Sequence, residues 1–264
     1  MKYAIISDVH ANPTALEKVL ADSVRYGVEK VICAGDVVGY GPDPVGAVRI
    51  LRDRGVTVVM GNHDAAVAGW RDTGDMIGHA RDTDALHHDE LGADDLAWIR
   101  SLPYVYADEN IAVAHANFVS PEMMEYVHDQ VDARHSLVYR DERMLFVGHT
   151  HLEALFALNF APCKSNPVLH HIDCRQAEPR DFRTVGKWRY LVNVGTVGYP
   201  RVKPYSSYVL YDSTTGDLLF RRLEFDFAEY VSALRAKSMP VPAWLQSSLA
   251  SGLMRSVAAA DLQA

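Results

Sequence analysis

The chain has 264 residues, a formal net charge of −8, and apolar and charged fractions of 48% and 23%. That length allows one large α/β domain with a sizeable core, and the acidic balance argues against broad or stable nucleic-acid binding, leaving only a local basic patch open. Three cysteines, Cys33, Cys163 and Cys174, make no disulfide framework, and no run of about 18 apolar residues exists to span a membrane.

Lys2 to Ser7 is a short apolar run that reads as a buried strand. Asn12-Pro13 then reads as an N-cap followed by a first-turn proline. Leu16, Val19, Leu20 and Val24 follow at helical spacing, and Gly27 closes the helix. Glu29 to Ala34 is a second strand, with Cys33 as a small core residue. A loop at Gly41-Pro42 leads to a helix ending near Arg54, and Thr57 to Met60 is a third strand. This βαβαβ rhythm predicts a mostly parallel sheet with right-handed crossovers.

Residues 65 to 102 read as helical and define an insertion over about 65–105. Strands resume at Ile111 to Ala114, Met144 to Val147 and Ala154 to Leu158. Val168 to Ile172, Arg189 to Val194 and Ser207 to Tyr211 are further strands, around a polar excursion at 159–188. Thr214-Thr215-Gly216-Asp217 is a turn between antiparallel strands. Asp226 to Lys237 is a helix, and an Ala/Leu/Ser-rich helical tail covers about 240–264. The expectation is one domain spanning 1–264. Polar residues of functional type begin at Asp8, so a cleaved leader would remove them. A cytoplasmic setting is expected.

Five strand exits carry polar clusters: Asp8-Val9-His10, Gly35-Asp36, Gly61-Asn62-His63-Asp64, His115, and Gly148-His149-Thr150-His151. In open α/β sheets, ligands bind at the carboxyl ends of strands. Carboxylate, imidazole and amide oxygen suit Mn, Fe and Zn. The i, i+2 spacing in Asp-x-His and His-x-His lets two side chains of an extended loop point the same way. There are too many ligands for one tetrahedral ion, whereas two ions sharing one carboxylate would use the set. A single Asp or Asn behind a strand is usually a turn or a helix cap, but five clusters in order argue for a site. His79, His87, His88, His128 and His135 fall in helical or loop segments and read as ordinary structural or surface groups. Cys163, His170, His171 and Cys174 fit no standard zinc spacing.

With DVH, GDVVG, GNHD, AHA and GHTH in this order over residues 8 to 151, the sequence resembles the calcineurin-like metallophosphoesterases. GDVVGYGPDP and NVGTVGYPR further resemble a bacterial branch described as phosphodiesterases and related to diadenosine tetraphosphatases. The resemblance implies an α/β sandwich of two mixed β-sheets flanked by helices. It implies that Asp8, His10 and His151 hold one divalent or transition-metal ion, that Asn62, His115 and His149 hold a second, and that Asp36 bridges them. The ions would be Mn, Fe or Zn. His63 would face the substrate and assist the leaving group, and Asp64 reads as a helix cap or a supporting group. The implied reaction is metal-dependent hydrolysis of a phosphate ester, by a phosphodiesterase or nucleotide phosphohydrolase acting on a small phosphorylated substrate. The alternatives are a phosphoprotein phosphatase and a catalytically inactive scaffold. Asn62 and Arg201 are further candidates for substrate contact, since an arginine after a glycine-rich strand exit suits planar recognition of phosphate.

Overall fold

The computed structural model describes residues 1–241 and 245, except 73, 75, 77, 164–165 and 202–203; for 160–163 and 166–173 it describes the backbone alone. The chain opens with β1 (Lys2–Ile6), α1 (Pro13–Val24), β2 (Lys30–Cys33), α2 (Pro44–Asp53) and the short β3 (Thr57–Val58). Ala4, Ile5 and Ile6 of β1 are fully buried on both faces, which explains the unbroken apolar run. Helix α1 begins as the sequence requires. The Asn12 Oδ1 accepts from the Ala15 N–H at 3.1 Å, and Pro13 fills the first turn. Leu16, Val19 and Leu20 face the core, and each such burial is worth about 1.5–3 kcal/mol.

Three helices follow, α3 (Asn62–Val67), α4 (Gly78–Glu90) and α5 (Ala93–Arg100), in agreement with the helical reading of this stretch. Then come β4 (Val105–Ala107), β5 (Ile111–Ala114), α6 (Gln130–Tyr139) and β6 (Met144–Val147). The last part comprises β7 (Glu153–Cys163), β8 (Asn166–Ala177), β9 (Phe182–Arg183), β10 (Trp188–Val194), β11 (Tyr205–Asp212), β12 (Asp217–Glu224) and α7 (Phe227–Ala236).

Among the described residues the strands form two mixed six-stranded sheets, ordered β3-β2-β1-β11-β12-β9 and β4-β5-β6-β10-β7-β8. Strands β1, β2 and β3 run parallel, as do β5, β6 and β10, while the later strands join antiparallel. Tyr3, Ile5, Ile32, Val113, Phe146, Val192 and Val209 interleave between the sheets. A second cluster packs α1, α2 and α7 on one outer face, and a third packs α6 on the other. Helices therefore flank a sheet-on-sheet sandwich.

Two features differ from the sequence expectation. The polar excursion at 159–188 holds more strand than the expected Val168 to Ile172: β7 runs on to Cys163, and β8 extends to Ala177, pairing with it as an outer strand of the second sheet. Arg175, Gln176 and Ala177 are exposed there, so the segment lacks the apolar alternation that marks a half-buried strand. Helix α6 gives a weak sequence signal because only Ala133, Ser136 and Leu137 are buried. Most of the expected tail over 240–264, and the side chains of Cys163, His170 and His171, lie outside the described residues. No helix among the described residues is long and apolar enough to cross a membrane.

Helix α4 is tied to the loop after β2 by a neutral histidine. The Gly39 N–H donates to His87 Nδ1 at 3.0 Å, and the His87 Nε2–H donates to Gly41 O at 2.9 Å. Burial pulls the His87 pKa down to about 4. The unfolded chain, with an ordinary histidine near 6.5, therefore takes up a proton between pH 6.5 and 4 that the folded chain refuses. The stability due to His87 is complete above pH 6.5 and is lost as the pH falls toward 4, by about 3 kcal/mol at most. Urea unfolding at pH 7 and pH 5 is expected to show a smaller pH dependence for His87→Gln than for wild type, with lower stability of the variant at pH 7. Equal pH dependence in both proteins would remove His87 as the cause.

Candidate metal centre

The five clusters meet at one end of the sandwich, where exits of both sheets face each other. Asp8 and His10 follow β1, Asp36 follows β2, His115 follows β5, and His149 and His151 follow β6. Asn62 and His63 open α3. All eight side chains are buried or nearly so. Asp8, His10, Asp36, His149 and His151 adopt left-handed backbone angles, with φ of 54°, 46°, 54°, 68° and 62°. Such angles are rare outside glycine and cluster at functional sites.

Hydrogen bonds fix where the ring nitrogens aim. A carbonyl only accepts, so His10 Nδ1–H donates to Val38 O (3.0 Å), His151 Nδ1–H to Tyr199 O (2.8 Å) and His115 Nδ1–H to Ala34 O (2.7 Å). The Nε2 lone pairs of His10 and His151 then confront each other at 3.1 Å. The buried Asp8 Oδ1, which makes no hydrogen bond, lies 3.2 Å from His151 Nε2 and 3.6 Å from His10 Nε2. Across the site, His115 Nε2 lies 3.1 Å from His149 Nδ1, 3.1 Å from Asn62 Oδ1 and 3.2 Å from Asp36 Oδ2. Ligand atoms of Asp8, His10 and His151 fall within 4.8 Å of one another, as do those of Asp36, His115 and His149. Buried acceptors without donors repel each other and call for positive charge. Burial lowers the His115 pKa, but Asp36 outweighs it and lifts it to about 9, so even a proton is drawn in. The donor set fits metal cations, with nitrogen and oxygen ligands only.

Asp36 stands between the two groups. Its Oδ1 accepts from the His63 backbone N–H at 3.0 Å, leaving Oδ2 to face His115 at 3.2 Å and His10 at 3.8 Å. Gly61 is needed beside it, because a Cβ there would collide with Asp36 Oδ1. Asp64 takes N–H groups of Gly61, Val37 and Val38 at 2.9–3.2 Å, and so caps α3 and holds the loop after Asp36. A third group, His10, Asp36 and His63, also has ligand atoms within 4.8 Å. In His63, however, Nδ1 is engaged by Asp84 at 2.8 Å. Burial depresses the His63 imidazolium, but Asp36 and Asp84 more than offset this and raise its pKa.

A cavity of about 220 Å³ opens over the cluster, lined by Asp36, Asn62, His63, His149, His151 and Arg201, with Tyr40, Arg71, Met76, Met124 and Tyr126 around them. Arg201, the residue expected to touch substrate, reaches the first ligand group, with one guanidinium nitrogen 3.4 Å from His151 Nε2. Sequence reasoning missed Asp84, Tyr40, Arg71 and Tyr126. Asp84 lies in the acidic, histidine-rich RDTDALHHDE, where no spacing distinguishes it. Tyr126 stacks on His149, with ring centroids 3.8 Å apart, and no motif marks it. Tyr40 carried a signal, since Gly-Tyr occurs in both GYGP and GYPR.

A two-sheet sandwich that gathers Asp, Asn and His at one edge is the framework of a metallohydrolase. The calcineurin-like phosphoesterase superfamily domain matches residues 1–216, and the chain belongs to that superfamily. It is similar to the crystal structure of a metallophosphoesterase from Sphaerobacter thermophilus, with 31% identity, a TM-score of 0.74, and 96% and 99% of the two chains covered. A hypothetical protein from Pyrococcus horikoshii OT3 shares the fold at 17% identity and a TM-score of 0.71, over 94% and 97% of the chains. An uncharacterized protein of Methanocaldococcus jannaschii is 29% identical over 243 residues, 90% of this chain and 93% of that one.

Crowded acceptors are a source of instability that bound cations would relieve. Added Mn²⁺ is expected to raise the melting temperature of the EDTA-stripped protein, since a ligand at 100 times its Kd stabilises by about 2.7 kcal/mol. His151→Leu removes one facing lone pair. It is expected to melt at or above the stripped wild type and to lose much of the Mn²⁺ response. A fully retained response would show that His151 holds no ion.

Proposed function

We propose that the protein is a dinuclear metal-dependent hydrolase of small phosphate esters, a phosphodiesterase or nucleotide phosphohydrolase. One observation carries this reading: two buried ligand groups, Asp8–His10–His151 and Asp36–His115–His149, lie side by side, with Asp36 Oδ2 3.8 Å from His10 Nε2, and members of both open into one cavity beside His63. Asp8, His10 and His151 would hold one ion, Asn62, His115 and His149 the other, and Asp36 both. Ions bound there would neutralise phosphoryl oxygens and acidify a water to make the nucleophile near neutral pH.

The remaining tasks fall to the chain itself. Phosphoryl transfer depends mainly on positioning and charge stabilisation. Arg201 enters the cavity from the β10–β11 connection and offers a planar pair of donors to phosphate oxygens. Asp84 holds His63 Nδ1, which leaves the opposite ring nitrogen to hand a proton to the departing oxygen. The cavity volume and the wall that α4 contributes through Ala80 favour a small molecule over a phosphoprotein chain, which needs an open groove.

His63→Asn is expected to retain both ions, measured by elemental analysis after Mn²⁺ reconstitution. It should lose little rate on a nitrophenyl ester, whose leaving group needs no proton. It should lose roughly 10²–10⁴-fold on an alkyl or nucleoside ester. Asp84→Asn should show the same pattern more weakly. Equal losses on both esters would show that His63 acts by charge or positioning, and loss of metal would make it a ligand. Asp36→Asn should lower occupancy at both positions, because an amide bridges two cations poorly; loss of a single ion would break the shared-carboxylate assignment.

A further inference from the structure

The two Gly-Tyr segments are joined in space, and the joint bears on Arg201. Tyr40 follows Asp36 by four residues, and Tyr199 follows β10. Their rings stack with centroids 4.3 Å apart and planes 6° from parallel. Both tyrosines are about 95% buried, so the stack is not a free platform for a substrate ring. The Arg201 guanidinium lies over its edge, 5.6 Å from the Tyr40 ring centroid and 5.8 Å from that of Tyr199. The same guanidinium nitrogen that approaches His151 donates to the Tyr40 hydroxyl at 3.3 Å.

Both ends of this arm are anchored to the metal cluster. The Tyr199 carbonyl accepts from His151 Nδ1, and its N–H donates to Thr196 Oγ1, whose hydroxyl donates to Asp8 O at 3.0 Å. The Tyr40 ring meets His10 edge-on at 4.8 Å. Its backbone is held at φ 60° by the Tyr40 N–H donating to Thr83 Oγ1 at 3.2 Å, beside Gly39, whose N–H is held by His87. A left-handed tyrosine is costly, of order 1–3 kcal/mol, and persists only where its surroundings determine it. The site thus fixes the ring and hydroxyl of Tyr40 more firmly than packing alone requires. Arg201 is otherwise an exposed, long side chain that would lose rotamer entropy on gripping an anion.

Resting on the phosphoesterase reading above, we propose that Tyr40 is a positioning residue that acts through Arg201. The stack and the Tyr40 hydroxyl set the guanidinium in advance at the edge of the Asp8–His10–His151 group, where it grips an oxygen of the bound phosphoryl group. Tyr40 itself touches the arginine rather than the reacting atoms. This gives a function to GDVVGYG and GTVGYPR that metal ligation does not account for, and places part of phosphate recognition in helix α4 through Thr83 and His87.

The test is a double-mutant cycle of Tyr40→Phe and Arg201→Ala. Phenylalanine keeps the stack and removes the hydroxyl alone. Inorganic phosphate is titrated calorimetrically into the Mn²⁺-reconstituted proteins, and KM and kcat are measured on bis-p-nitrophenyl phosphate. Tyr40→Phe is expected to weaken phosphate binding and raise KM by roughly 5- to 10-fold, with kcat within about twofold, metal content unchanged and an unchanged melting temperature. Arg201→Ala should weaken binding by roughly 30-fold, and the double variant should be no worse than Arg201→Ala alone. Additive losses, or wild-type phosphate affinity in Tyr40→Phe, would overturn the proposal. A wild-type protein that binds phosphate but turns over no ester would instead overturn the phosphoesterase reading, and the binding cycle would still decide the role of Tyr40.

Discussion

The structure depends on one constraint: a set of buried acceptor atoms converging where the two sheets meet. Asp8 belongs to one sheet and His149 to the other, yet Asp8 Oδ2 takes the His149 N–H at 3.0 Å. Asp36 and His115 cross the same boundary at 3.2 Å. Behind them, Val197 and Gly198 donate to Ser7 O and Asp8 O, and Asn193 donates to Gly148 O. The exits are therefore bonded to one another before any ion arrives. Apolar packing between the sheets holds the exits close, and the polar end of that packing is left with lone pairs facing lone pairs. Such an arrangement costs stability in the free chain. It is the condition for binding cations at a prepared geometry.

Backbone strain belongs to the same arrangement. Five of the eight Asp and His residues in these clusters have left-handed φ angles. In an extended strand residues i and i+2 point to one face, so a strand that simply continued would aim both members of each Asp-x-His or His-x-His pair the same way but carry the second about 7 Å farther along the chain and away from the sheet edge. The left-handed turns redirect the chain immediately after the strand and keep both members at the edge. The flanking sequence makes this possible: Gly35 at φ 91° and Gly39 at φ 86° absorb the tightest bends around Asp36. Hydrogen bonds from Asp64 and α4 hold the rest.

Much of this was legible in the sequence. The βαβαβ opening, the cap at Asn12, the helix after Phe225 and the order of polar clusters behind apolar runs follow from local rules, and the structure keeps them. What escaped was whatever depends on contacts distant in sequence. Asp84 meets His63 across 21 residues, and Tyr40 meets Arg201 across 161. Neither contact has a periodic or motif signature. The expected strand at Val168 to Ile172 runs on in β8 to Ala177, and that extension escaped for a different reason, since Arg175, Gln176 and Ala177 are exposed on an outer strand. Helix α6 buries too few residues to print a clear stripe.

The division between legible and hidden parts separates two levels of function. The ligand residues sit on short strand exits, where neighbours in sequence are neighbours in space, so a compact motif can encode them. The cavity walls come from elsewhere: Ala80 from α4, Met124 and Tyr126 from the segment after β5, and Arg201 from the connection after β10. Loops and insertions tolerate change better than the strands that carry them. The ligand cluster thus sits on short strand exits, and the cavity walls come from segments that can change without moving those strands. Helix α4 is the exception. Through Thr83, Asp84 and His87 it supports His63 and the loop after Asp36, while Ala80 on the same helix lines the cavity. A change in α4 that reshapes the cavity therefore also disturbs the residues that hold His63 and the Gly39-Tyr40 loop.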